Sequence, residues 1–107
     1  MQKKQRLAII AFIGIGAYFM QKRYIYKYFT YEEFADKQSG SNKMSRKVIQ
    51  MLDEAREIAG IPFIITSGYR DENHTLSIKN PTSSHIKGLA VDIFTMPTTQ
   101  PIIYEAL

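Results

Sequence analysis

A chain of 107 residues without cysteine suits one small domain and excludes disulfides and cysteine-based zinc sites. Its net charge of +4 is unevenly spread: residues 1–29 hold six Lys or Arg and no acid, whereas residues 30–107 hold eight Lys or Arg against ten Asp or Glu. The basic character belongs to an N-terminal arm, and the mildly acidic remainder carries no nucleic-acid footprint.

The arm comes first. Leu7 to Met20, LAIIAFIGIGAYFM, is a run of 14 apolar or small residues. Three roles compete for it: a membrane anchor, a cleaved secretory signal, and a helix buried in a core or against a partner. The run is short for a hydrocarbon layer of ~30 Å. Basic residues on both flanks nevertheless favour the anchor, because Lys3, Lys4, Arg6, Lys22 and Arg23 can snorkel towards headgroups. Gly14-Ile15-Gly16 is a poor cleavage site. The tyrosines of YIYKYF, Tyr24 to Phe29, suit a membrane interface. The expectation is one helix from about Lys4 to Phe29 in contact with membrane lipid, with domains at 1–29 (transmembrane or signal anchor) and 30–107.

Thr30 to Glu33, TYEE, fits a capping box, so a short helix should run to about Asp36. Asp36 to Asn42, DKQSGSN, is a polar loop. Met44, Val48, Met51, Leu52, Ala55, Ile58 and Ala59 then recur at helical spacing behind a Ser41 or Asn42 cap. Gly60 ends that helix and Pro62 forbids its continuation. Phe63–Thr66 and Leu89–Phe94 read as strands, joined by a long loop. Pro101 opens a last helix capped by Thr98 or Thr99. Two strands do not make a stable sheet alone, so a third strand is expected after residue 107 or from a partner.

Asp92 lies in an apolar run, and an unpaired charge there is costly. A metal ion shared with His85, or an arginine, would satisfy it. Ser83-x-His85-x-x-Gly88-x-Ala90-x-Asp92 resembles the SxHxxGxAxD motif of the zinc-dependent peptidoglycan peptidases of the M15 type, the D-Ala-D-Ala carboxypeptidase and phage endolysin group. Ser67 to Arg70, SGYR, resembles a second motif of that family, upstream at a similar distance. FTYEEF, the 44–59 helix and GIPFIITSGYR look like its opening, so the resemblance covers roughly residues 29 to 107.

The resemblance implies an α+β fold, with helices packed on a small antiparallel sheet, behind the N-terminal membrane helix. It implies zinc bound by His85 and Asp92. Arg70 would be the catalytic residue that steadies charge on the substrate carbonyl or carboxylate; the plainer reading is an arginine paired with Asp92. Ser67, Ser83, Gly88 and His74 would support the site without ligating. Zinc held by imidazole and carboxylate is electrophilic and polarises a peptide carbonyl.

The chain departs from the family pattern in two ways. Lys79-Asn80-Pro81 stands where the family has a glycine pair. No histidine follows Asp92, and Glu105 is the only later acid. The third ligand and the general base are therefore expected beyond residue 107, in a domain truncated at its C-terminus. The function implied is a membrane-anchored zinc metallopeptidase that cleaves peptidoglycan stem peptides at the cell wall. It would serve a bacterial envelope or the lysis apparatus of a membrane-containing phage, with envelope or virion proteins as further partners. The alternative is an inactive M15-like structural or wall-binding membrane protein.

Overall fold

The computed structural model describes residues 5–10 and 24–107. The described chain is a small α+β domain. In chain order it comprises β1 (Gln5–Ile10), a 3₁₀ turn (Tyr31–Phe34), α1 (Arg46–Ala59), β2 (Ile64–Ser67), α2 (Thr75–Lys79), β3 (Ala90–Thr95) and α3 (Gln100–Ala106). The sheet is antiparallel with order β1-β3-β2. A central strand is covered on both sides, and β3 accordingly reads as a nearly continuous apolar run. Val91 and Ile93 are fully buried within it.

The expected membrane helix is overturned. Gln5–Ile10 is a strand, in register with β3 from Gln5 opposite Thr95 to Ile10 opposite Ala90. The physical reason is that an uncovered strand edge presents a row of N–H and C=O groups. The first part of the arm satisfies that edge of β3, so a third strand is supplied from before the domain. The apolar run beyond Ile10, up to residue 23, lies outside the described residues. Among those described, no helix is long and apolar enough to cross a membrane.

The aromatic segment Tyr24–Phe29 is also not helical. Phe29 is part of the core, and Tyr26 and Tyr28 pack against it. Asp53, buried on α1, explains why: its carboxylate accepts the backbone N–H of Lys27 at 3.0 Å and of Tyr28 at 2.8 Å. The guanidinium of Arg56 donates to the Tyr28 carbonyl at 3.2 Å. The tyrosines expected at a lipid interface thus belong to the folded body.

Around Thr30 the structure forms a single 3₁₀ turn, with the Glu33 carboxylate accepting the Thr30 backbone N–H at 3.2 Å. α1 begins later than expected, because Ser45 caps it through the Val48 N–H. Asn42 is already engaged: its side chain donates to the Tyr31 carbonyl at 2.8 Å and accepts from the Met44 N–H at 3.0 Å. α1 turns Val48, Ile49, Leu52 and Ala55 inward, whereas Met51 and Ile58 are exposed. Gly60 closes the helix in the left-handed conformation. α3 packs against α1 through Ile103.

Candidate functional site

The site lies where β3 meets the segments that follow β2 and precede β3. Alternation along β3 puts Asp92 on the face opposite Val91 and Ile93. Asp92 is 3% exposed, His85 8% and Arg70 9%. One amino group of Arg70 approaches Asp92 Oδ2 at 3.1 Å, and His85 Nε2 lies 3.7 Å from Asp92 Oδ1. The structure therefore brings these three side chains together.

Their placement follows from local sequence. β2 carries a bulge between Ile65 and Ser67, so that Ser67 stands opposite Asp92. The Thr66 hydroxyl donates to the Asp92 carbonyl at 3.2 Å, and Ser67 Oγ accepts from Arg70 Nε at 2.9 Å. Gly68 permits a close crossing: a Cβ there would lie 2.6 Å from the Phe34 carbonyl oxygen. The Tyr69 N–H donates to that same oxygen at 2.8 Å, and the Arg70 N–H donates to the His85 carbonyl at 3.1 Å. The two motifs are thus joined through the backbone.

His85 is oriented from both ends. Its N–H donates to Ser83 Oγ at 3.3 Å. Its Nδ1 lies 2.8 Å from the Gly68 carbonyl, which only accepts, so Nδ1 carries the proton. In the neutral ring the Nε2 lone pair then faces Asp92. Gly88 ends the loop at φ 71°, and a Cβ there would lie 2.2 Å from the Lys43 carbonyl oxygen. The Gly88 carbonyl accepts the Ser45 N–H at 2.9 Å, tying the site loop to the start of α1.

His74 stands apart. It precedes α2, a single turn that was expected to be loop, and its Nδ1 accepts the Leu76 N–H at 3.0 Å. Histidine is an unusual cap, and five helical residues carry little periodicity, so the turn had no clear signal.

The donor set fits zinc at two positions. Two ligands, each ~2.1 Å from a tetrahedral zinc, stand about 3.4 Å apart. The Nε2 to Oδ1 separation of 3.7 Å is close to that value. A lone pair and a carboxylate oxygen facing one another suit a shared cation, and the Nδ1–H bond to a carbonyl is the support that ligating histidines ordinarily have. Among the described residues no group of three His, Cys, Asp or Glu converges on one point.

Asp36 was not singled out by the sequence. It is 2% exposed. One oxygen accepts the N–H of Gln38 at 2.7 Å and of Ser39 at 3.1 Å, and the other accepts the Asp71 N–H at 2.7 Å. Burial pushes its carboxyl up. The N–H groups of Asp71, Gln38 and Ser39, with nearby His74, outweigh burial and hold it below the usual carboxylate range. The clamp fixes the chain just after Arg70. An aspartate opening a polar loop signals its own turn, but the reach to Asp71 requires the fold.

Fold and site define a small α+β domain with a buried Arg70–Asp92–His85 group. The chain belongs to the Peptidase M15 family, whose profile matches residues 27–105. Peptidases of this family are generally zinc-dependent. No curated protein and no solved structure shows a significant match.

Proposed function

We propose that this domain hydrolyses peptide bonds in peptidoglycan stem peptides, with His85 and Asp92 holding zinc. The observation that carries the reading is the buried approach of His85 Nε2 to Asp92 Oδ1 at 3.7 Å, with the other Asp92 oxygen taken by Arg70. The SxHxxGxAxD and SGYR pair supports this substrate class, for which the site of action would be the bacterial wall, in envelope remodelling or in phage lysis. Zinc bound there would supply an electrophile for the scissile carbonyl.

The chain's own residues prepare that position. The Gly68 carbonyl fixes the His85 tautomer, so Nε2 remains a donor atom. Arg70 balances the charge of Asp92 and keeps its carboxylate from turning. Ser67 and Asp92 occupy two of the Arg70 nitrogens. The remaining amino group has no partner among the described residues and is the one to orient a substrate carbonyl or terminal carboxylate.

The test is zinc content by elemental analysis, together with release of D-alanine or peptides from purified walls. His85→Ala and Asp92→Ala should each lose both. A full-length product of the gene that binds walls but takes up no zinc and releases nothing would instead be a wall-binding module.

A further inference from the structure

The backbone that carries Arg70 is held by successive N–H groups, each on a different acceptor. Tyr69 donates to the Phe34 carbonyl at 2.8 Å, Arg70 to the His85 carbonyl at 3.1 Å, and Asp71 to the Asp36 carboxylate at 2.7 Å. The first two acceptors are main-chain atoms. The last is a buried titratable side chain, 2% exposed, to which the peptidase reading gives no part.

The bonding of Asp36 shows what the carboxylate does there. One oxygen receives the N–H groups of Gln38 and Ser39, and the other receives that of Asp71. Among short side chains only a carboxylate accepts at both ends; an amide would turn its own donor towards one of these N–H groups. Asp36 is also anchored through its main chain. Its N–H donates to the Ser41 carbonyl at 2.8 Å, and its carbonyl accepts from Gly40 at 2.9 Å. It stands two residues after Phe34, which is fully buried in the core. The carboxylate thus ties the residue after Arg70 to an anchored segment, just as the Phe34 carbonyl ties the residue before it. The guanidinium itself is a planar fork. With Nε on Ser67 and one amino group on Asp92, the aim of the other amino group follows from where the Arg70 backbone sits. A displacement of about 1 Å at a reacting centre costs on the order of 100-fold in rate.

We propose that Asp36 is a positioning residue for Arg70: by holding the Asp71 N–H, its carboxylate fixes the backbone from which the substrate-facing amino group of Arg70 is aimed. What that amino group meets rests on the peptidase reading; the positioning does not. Asp36 acts through Arg70 and takes no part in bond breaking.

The test compares wild type with Asp36→Asn by NMR of the ¹⁵N-labelled full chain. The carboxamide can keep the Gln38–Ser39 turn while its NH2 faces Asp71, so the change falls on the clamp. The Asp71 amide should exchange with solvent at least ~10-fold faster, as expected on losing a charged acceptor. The Arg70 Nε–Hε order parameter should fall below the rigid range near ~0.85. Asp53→Ala removes a buried carboxylate elsewhere and should leave the Arg70 signal as in wild type, which separates positioning from a general loss of stability. Asp36→Ser, whose hydroxyl can hold the turn but is too short for Asp71, repeats the test if the amide variant does not fold. Wall hydrolysis is the second readout. Asp36→Asn should lower kcat by roughly 10-fold. It should lower it no further in an Arg70→Lys background, which keeps a charge for Asp92 but lacks the second amino group. An Arg70 Nε–Hε signal unchanged in the Asp36 variants, or moved equally by Asp53→Ala, would overturn the proposal, as would additive losses of kcat. Hydrolysis by wild type with Arg70 still rigid in the variants would remove the positioning role and leave the peptidase reading intact. A loosened Arg70 in a protein that hydrolyses nothing would do the reverse.

Discussion

Asp53 and Asp92 are both nearly inaccessible, at 6% and 3% exposure, but they are satisfied in different ways. Asp53 gives its two oxygens to two consecutive backbone N–H groups, those of Lys27 and Tyr28. That arrangement is closed, and its product is structure: the aromatic segment is pinned to α1. Asp92 gives one oxygen to a guanidinium and turns the other towards an imidazole nitrogen whose proton sits on the far side of the ring. That arrangement suits a cation. Buried carboxylates are thus sorted by their partners, and burial alone does not mark chemistry.

The sharpest way to break this contrast is Asp92→Ala. It leaves Arg70 buried without its countercharge, so stability should fall by ~3–5 kcal/mol in urea denaturation. Zinc uptake should vanish at the same time. The double change Arg70→Met with Asp92→Leu should recover most of the stability and none of the zinc, which separates the two roles. Full zinc retention in Asp92→Ala would end the ligand assignment.

Gly88→Ala tests the geometry that presents His85. A left-handed alanine costs about 1–2 kcal/mol, and the loop must also move off the Lys43 carbonyl. Urea denaturation should show at least that loss, with zinc affinity reduced although no ligand is changed.

Asp53→Ala is the counterpart on the structural side. Two N–H groups lose a charged acceptor, at a cost of about 1–3 kcal/mol. Proteolysis should then reach Tyr24–Phe29 faster, while zinc uptake of the folded fraction stays as in wild type. A matching fall in zinc affinity would show that the two regions are coupled.

The smallest effect concerns Asp36. Its carboxyl is held below its unfolded value of about 3.9. Its contribution is therefore present above that pH and is lost as pH falls through the lower folded value. Urea midpoints measured from neutral pH down into this acid range should fall less steeply for Asp36→Asn than for wild type. Parallel curves would mean that the clamp on Asp71 carries no charge-dependent stability.

Helix α1, strands β2 and β3 and the Pro101 helix were legible because each depends on its own residues: apolar periodicity, Gly60, Pro62 and β-branched runs. Their ends moved by a few residues where a side chain chose another partner, as Asn42 did in bonding Tyr31 and Met44. The positions of Arg70, His85 and Asp92 stood out through motif spacing. That Arg70 divides its nitrogens between Ser67 and Asp92 did not, since it depends on the bulge in β2. The arm was misread for a plain reason. Hydropathy reports that Leu7–Ile10 is apolar, but not whether its backbone will bond within a helix or pair with the edge of a strand some eighty positions later in the chain.

By itself the sequence determined what depends on neighbours in the chain: the main helices, the strand propensities, and the motif residues with the chemistry their types permit. The tertiary structure decided what depends on partners distant in the chain. These are the strand that pairs with the edge of β3, the backbone groups that Asp36 and Asp53 hold, and the proton on Nδ1 of His85. The physical reason is that propensity and capping act over a few residues, whereas hydrogen-bond satisfaction and charge pairing in a buried site are settled by whichever group the fold brings within about 3 Å.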